Sequence, residues 1–148
     1  MSEIPLEFLP LSNDEKTCRS AGMIVRNPDG EILLLDRRNG VLGWACPAGH
    51  VESEEGTLDC ALRELTEETG IQLELKNVTD LFLEQYINNS CNRGASGHNW
   101  TIYIANTPND RIILKEPDDH KGIGWFKLEE LEYLQLEPVW KIILDRYK

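Results

Sequence analysis

Glu64, Glu67 and Glu68 stand three and four residues apart in the run TLDCALRELTEETG, and carboxylates grouped in this way are the raw material of a hard-cation site. The apolar residues Leu58, Ala61, Leu62 and Leu65 follow the i, i+3, i+4, i+7 spacing of an amphipathic helix, so the pattern predicts a helix from Thr57 with one buried face. On a helix the three glutamates share another face. Their like charges repel unless they are spread into water or share a cation, and carboxylate oxygens suit Mg2+ or Mn2+. Gly70 is placed to close the helix. Taken alone, the helix reads as an ordinary solvated acidic face. Its flanks decide otherwise.

Upstream stand Gly49 and Glu55, and the series Gly49, Glu55, Arg63, Glu64, Leu65, Glu67, Glu68, Gly70, Ile71 matches the Nudix box without a mismatch. With residue usage near ~7% at each fixed position, a chance match in one chain falls below roughly one in a million. The chain therefore resembles the Nudix hydrolases. Outside the box the similarity is softer and consists of the lead-in GWACPAGH and the run GWFKLEEL near Trp125.

The resemblance implies an α/β fold, a Nudix-type α/β/α sandwich with a mixed sheet and a catalytic loop-helix-loop, in one domain over residues 1–148. It implies Glu64, Glu67 and Glu68 as ligands of Mg2+ or Mn2+, with the Ala48 carbonyl as a further ligand and Glu64 also serving as general base. Many relatives have Gly where this chain has Ala48. Arg63 and Glu55 are expected to hold loop and helix in register by pairing with each other. An arginine near the box often contacts phosphate in this family, which puts Arg37 and Arg38 forward as substrate-binding residues. Some relatives add an acidic residue from a distant loop, and of Glu116, Asp118 and Asp119 in KEPDDHKGIGWF the preferred position is Asp119. His98 and Trp100 border a glycine-rich loop and are candidates to contact or stack on a base. His50 and His120 carry no signal of their own.

The elements that must position these groups are legible in outline. Ser20–Arg26 and Glu31–Asp36 are β-rich runs around Asn27-Pro28-Asp29-Gly30, which predicts a hairpin. Val78–Ile87 and Trp100–Asn106 read as strands joined by the loop Asn88–Asn99, and Ile112–Leu114 and Ile123–Phe126 read as shorter ones. Leu136–Tyr147 carries a helical pattern with Pro138 near its start. Residues 1–17 read as a loose arm or an edge strand.

Composition bounds the function. A chain of 148 residues with 41% hydrophobic content buries one substantial core. Its net charge of −11 argues against a nucleic-acid partner, because such binding draws on Lys and Arg neutralising phosphates. A nucleotide held through metal remains open. No run is long enough to span a membrane, and the opening MSEIPLEFLP lacks the regions of a signal peptide, so the expected setting is cytoplasmic and the expected assembly a monomer or homodimer. The three Asn-X-Thr/Ser sequons carry no meaning without secretion. Cys18, Cys46, Cys60 and Cys91 have no close pairing and are expected as reduced, mostly buried thiols.

A pyrophosphate linkage resists hydrolysis because its anionic oxygens repel a nucleophile. A catalyst must cancel charge, position water and stabilise the leaving phosphate. The expected activity is metal-dependent hydrolysis of a nucleoside diphosphate linked to another group. Within the family, a short MutT-like chain points to a nucleoside triphosphate or a modified one. The first proline after Ile71 is Pro108, unlike many ADP-ribose hydrolases, and Tyr86 misses the spacing of many dinucleoside polyphosphate hydrolases. The other readings are an ADP-ribose, nucleotide-sugar or dinucleoside polyphosphate hydrolase, or a non-catalytic sensor. A sensor is expected to lose catalytic glutamates, whereas this chain keeps them.

Overall fold

Ser20 to Val25 is a continuous run of buried residues, the mark of a strand covered on both faces, and it lies at the centre of the sheet. A computed structural model describes residues 4–148. The strands are β1 (Phe8–Leu9), β2 (Cys18–Arg26), β3 (Ile32–Arg37), β4 (Gly43–Ala45), β5 (Ala48–His50), β6 (Val78–Ile87), β7 (His98–Asn106) and β8 (His120–Phe126). Their order is β1-β6-β7-β2-β3-β4, with β5 paired to β2 and β8 to β3. β2 and β7 run parallel and the other pairs antiparallel, which makes the sheet mixed.

The helices α1 (Thr57–Thr69) and α2 (Pro138–Tyr147) cover opposite faces. Alternation along the central strands sorts the core: Ala21, Met23, Val25 and Leu33 pack with Cys60, Ala61 and Leu65 of α1, whereas Ile24, Ile32 and Leu34 pack with Val139, Trp140 and Ile143 of α2. Leu65 is fully buried, and its truncation to Ala should destabilise the fold by about 2–5 kcal/mol. The result is the expected α/β/α sandwich. Gly70 adopts φ 78° and its N–H bonds the Thr66 carbonyl, so α1 ends where the sequence placed its end.

The expected hairpin forms with short pairing, and one local expectation is corrected. The turn at Asn27–Gly30 forms, but β2 and β3 pair only at Arg26 and Ile32. Beyond that point β5 takes the edge of β2, through Ser20, Ala21 and Gly22, and β8 runs along β3. Ile112–Leu114 is not a strand. Its backbone lies on the end of α1, where the Ile113 and Lys115 N–H groups donate to the carbonyls of Thr69 (3.0 Å) and Glu68 (3.4 Å). Last-turn carbonyls have no partner within their helix and accept this strap instead of a β neighbour. Part of the N-terminal arm is an edge strand, since Phe8 and Leu9 pair with Ile87 and Tyr86; residues 1–3 lie outside the described residues.

Candidate active site

A cleft of about 860 Å³ opens over the start of β2, β5 and α1, and Glu64, Glu67 and Glu68 all line it. β5 brings the box's leading backbone against the helix. The Ala48 N–H donates to Glu68 Oε1 at 3.0 Å. A Cβ at Gly49 would overlap the Glu64 carboxylate, so only glycine here leaves that side chain where it stands. The close approach of strand and helix thus fixes two of the three glutamates.

Arg63 organises the loop side. It donates to both oxygens of Glu55, from Nε (2.7 Å) and Nη2 (2.9 Å), to the His50 carbonyl (3.2 Å), and from Nη1 to Glu64 (3.0 Å) and Glu67 (3.2 Å). Such bidentate geometry suits a positioning role. The Arg63 hydrogen bonds hold the Glu55 carboxyl down at about 2. Glu67 is half exposed, whereas Glu64 and Glu68 are largely enclosed.

The distant loop closes the site from the other side. Glu68, Glu116 and His120 bring one ligand atom each to within 4.8 Å of one another. His120 Nε2 lies 3.2 Å from Glu68 Oε2, with both side chains buried. Burial raises the Glu68 pKa despite the opposing pull of His120 and the Ala48 amide. Burial works against the imidazolium of His120, but the hydrogen bond and charge of Glu68 outweigh it and raise that pKa too. Burial, with the charge of Glu68, lifts Glu64 to about 7. Among the described residues, His120 Nδ1 is the buried side-chain nitrogen or oxygen left without a partner. Crowded carboxylates of raised pKa, with the His120 ring against one of them, fit a divalent cation.

The remaining predicted residues divide. Arg37 lines the cleft and its Nη1 donates to the buried Glu137 at 3.0 Å. Arg38 turns to the distant loop, donating from Nε to the Pro117 carbonyl (3.0 Å) while its N–H bonds Asp119 O (2.8 Å). Asp119 lines the cleft beside Glu116, and burial followed by the charge of Asp119 raises the Glu116 pKa. His98 and Trp100 lie in the cleft wall but are buried; Trp100 Nε1 donates to Asn89 Oδ1 (3.1 Å) and its ring packs edge-on against Trp140.

Sequence reasoning missed His120 and Glu137. Position next to Asp118-Asp119 was the signal for the first, and Glu137 directly precedes the helix-starting Pro138. Cys18 and Cys91 correct the expectation of four reduced thiols. They are joined as a disulfide across 73 residues of chain, whereas Cys46 and Cys60 are free and buried.

The model of the NUDIX domain matches residues 16–147. The chain is 30% identical over 102 residues to a mouse bis(5'-nucleosyl)-tetraphosphatase (asymmetrical), covering 68% of this chain and 66% of that protein. It is 45% identical over 58 residues to an RNA pyrophosphohydrolase of Roseobacter denitrificans, covering 38% of this chain and 36% of the relative. Among solved structures, a MutT NUDIX hydrolase from Burkholderia pseudomallei matches with TM-score 0.75 and 27% identity over 90% of this chain and 100% of that one. The strand-held carboxylate helix is thus the NUDIX domain, and the chain belongs to the Nudix hydrolases, a family acting on phosphoric anhydride bonds.

Proposed function

We propose that this chain is a divalent-metal-dependent pyrophosphohydrolase of a nucleoside polyphosphate. The observation that carries the reading is the convergence of Glu64, Glu67, Glu68 and Glu116 on one cleft, with Glu64 and Glu68 enclosed and held by β5. Glu68, Glu116 and His120, with Glu64, Glu67 and the Ala48 carbonyl, are the groups that would hold Mg2+ or Mn2+. When bound, the cation would offset phosphate charge as a Lewis acid. Glu64 takes the proton of the attacking water. Arg63 and Glu55 keep that carboxylate aimed. Arg37 supplies positive charge to the phosphate chain from the cleft wall, and Asp119 extends the acidic loop toward the reacting water.

On the substrate, the MutT-like expectation of a nucleoside triphosphate meets a second reading. The mouse relative is named for bis(5'-nucleosyl) tetraphosphate and the Roseobacter relative for RNA. A net charge of −11 disfavours RNA, which leaves a dinucleoside polyphosphate as the reading these similarities favour. Purified protein with Mg2+ should be assayed against dinucleoside tetraphosphates, nucleoside triphosphates, ADP-ribose and nucleotide sugars, with products separated by chromatography. The dinucleoside compound is expected to lead by tenfold or more in kcat/KM. A triphosphate leading by that margin restores the MutT-like substrate and leaves the chemistry intact. Full turnover in excess chelator removes the metal-dependent reading altogether.

A further inference from the structure

A second group of donors adjoins the same cleft, which His50, Cys91 and His98 line, and it shares no residue with the carboxylate site. Cys18, His50, Cys91 and His98 each bring a sulfur or ring nitrogen to within 4.8 Å of the other three. The sheet sets three of the four positions. Cys18 opposes His98 in the parallel β2–β7 ladder, and His50 opposes Ser20 in the β2–β5 ladder. The fourth arrives on a tight turn in which the Gly94 N–H bonds the Cys91 carbonyl and the Cys91 N–H bonds the Ala95 carbonyl, each at 3.0 Å.

The hydrogen bonding around these side chains is that of ligands. His98 Nδ1 faces two acceptors at 3.1 Å, the Asn89 carbonyl and Asn89 Oδ1. Asn89 Oδ1 also accepts from Trp100 Nε1, which fixes it as an oxygen. Nδ1 therefore carries the proton and Nε2 keeps its lone pair, the arrangement by which a carbonyl orients a metal-binding imidazole. His50 Nε2 lies 3.3 Å from Cys91 Sγ. The Arg93 N–H points at the same sulfur from 3.4 Å, a contact that favours thiolate. Cys91 and His98 are buried, and Cys18 and His50 half-buried. A disulfide by itself offers two imidazole nitrogens nothing to bind, so their convergence asks for another occupant.

We propose that Cys18, His50, Cys91 and His98 form a Zn2+ site in the reduced protein. Two sulfurs and two nitrogens are a tetrahedral zinc set, and once the Cys18–Cys91 bond is reduced, metal bonds of about 2.0–2.3 Å require the two sulfurs to part from their bonded spacing while the four donors, all within 4.8 Å of one another, gather round one ion. The Cys18–Cys91 disulfide is the oxidised counterpart. A dithiol reductant transfers two electrons and two protons to it, leaving two protein thiols and the reductant as its own disulfide. Zn2+ then binds both sulfurs as thiolates, and two protons pass to solvent. The ion ties the loop after β6 to the starts of β2 and β7 and to the end of β5, one residue from Gly49, and so sets the wall of the cleft.

The test is the zinc content of the full chain after reduction with a phosphine, incubation with Zn2+ and gel filtration, together with the spectrum of the reduced protein loaded with Co2+. The expected result is one zinc per chain and an intense thiolate-to-cobalt charge-transfer band. Cys91→Ser and His98→Gln should each weaken zinc binding by at least about 100-fold, whereas Glu68→Gln should keep it. The disulfide form should hold no zinc at this site. Reduced wild-type protein that retains no zinc overturns the proposal, as does a Co2+ spectrum without the thiolate band. Zinc that is lost in Glu68→Gln but kept in Cys91→Ser assigns the ion to the carboxylates and equally overturns it. Should Cys91→Ser fold poorly, His50→Gln and the wild-type cobalt spectrum decide.

Discussion

Two donor groups adjoin one cleft and differ in the donor atoms that select a partner. Glu64, Glu68, Glu116 and His120 offer mainly hard oxygens of raised pKa, with Glu64 tied to Arg63 and Glu68 to a strand amide. Cys18, His50, Cys91 and His98 offer sulfur and nitrogen with no carboxylate among them. The first suits an ion that keeps its waters and meets phosphate, the second an ion enclosed by protein. Proximity in a cleft does not make one site. Donor type separates chemistry from architecture.

The comparison breaks first at the carboxylates. Glu64→Gln or Glu68→Gln should lower kcat at least 100-fold, about 2.7 kcal/mol of transition-state stabilisation, with the fold retained by circular dichroism. Near-wild-type turnover in both would empty the hard site of function. Within the distant loop, Asp119→Asn should slow kcat about tenfold, or about 1.4 kcal/mol. A larger loss in Glu116→Gln, with Asp119→Asn unchanged, would transfer the role to the residue that touches Glu68. Arg37→Ala should raise KM several-fold and Arg38→Ala less, since only Arg37 lines the cleft; equal kinetics in both variants would return the pair to the surface.

The smallest effect is one of pH. Glu64 holds its proton more tightly when folded, with its pKa raised from 4.5 to about 7 by burial and then by Glu68. Its contribution to stability is therefore fully present below about 4.5 and lost as pH rises through 7. In metal-free protein, the wild-type melting temperature should fall across that window more than that of Glu64→Gln. Parallel curves would show that Glu64 ionises as freely in the fold as in the unfolded chain. Glu55, held at about 2 by Arg63, acts in the opposite sense and outside this window.

What the sequence made legible was periodic. α1 and its glutamates, the Gly70 stop, and the strands ending at Arg26, Ile87, Asn106 and Phe126 were all visible as local patterns of burial. Periodicity reports which face is buried, not what covers it, so the near-absence of pairing between β2 and β3 and the strap at Ile113 were hidden. The apolar residues of that strap imitate a strand, while its amides serve α1. His120 was invisible because its importance depends on Glu68, which is distant in sequence. The convergence of Cys18 with Cys91 is likewise a product of sheet order, which no spacing along the chain encodes.

The strap has a consequence for how this chain tolerates insertion. Because the Lys115 amide is bonded to the carbonyl of Glu68 itself, the segment that delivers Glu116 is registered against the residue it must meet. An added residue between Ile113 and Glu116 would shift the acidic loop along α1 and part Glu116 from Glu68. The loop Asn88–Gly97 carries no such tether to α1, and lengthening it beyond Cys91 would reshape the cleft's rim while leaving the carboxylates in place. Length variation is thus permitted at the cleft's rim and forbidden beside the carboxylates proposed to react, so the rim of this scaffold can change without moving them.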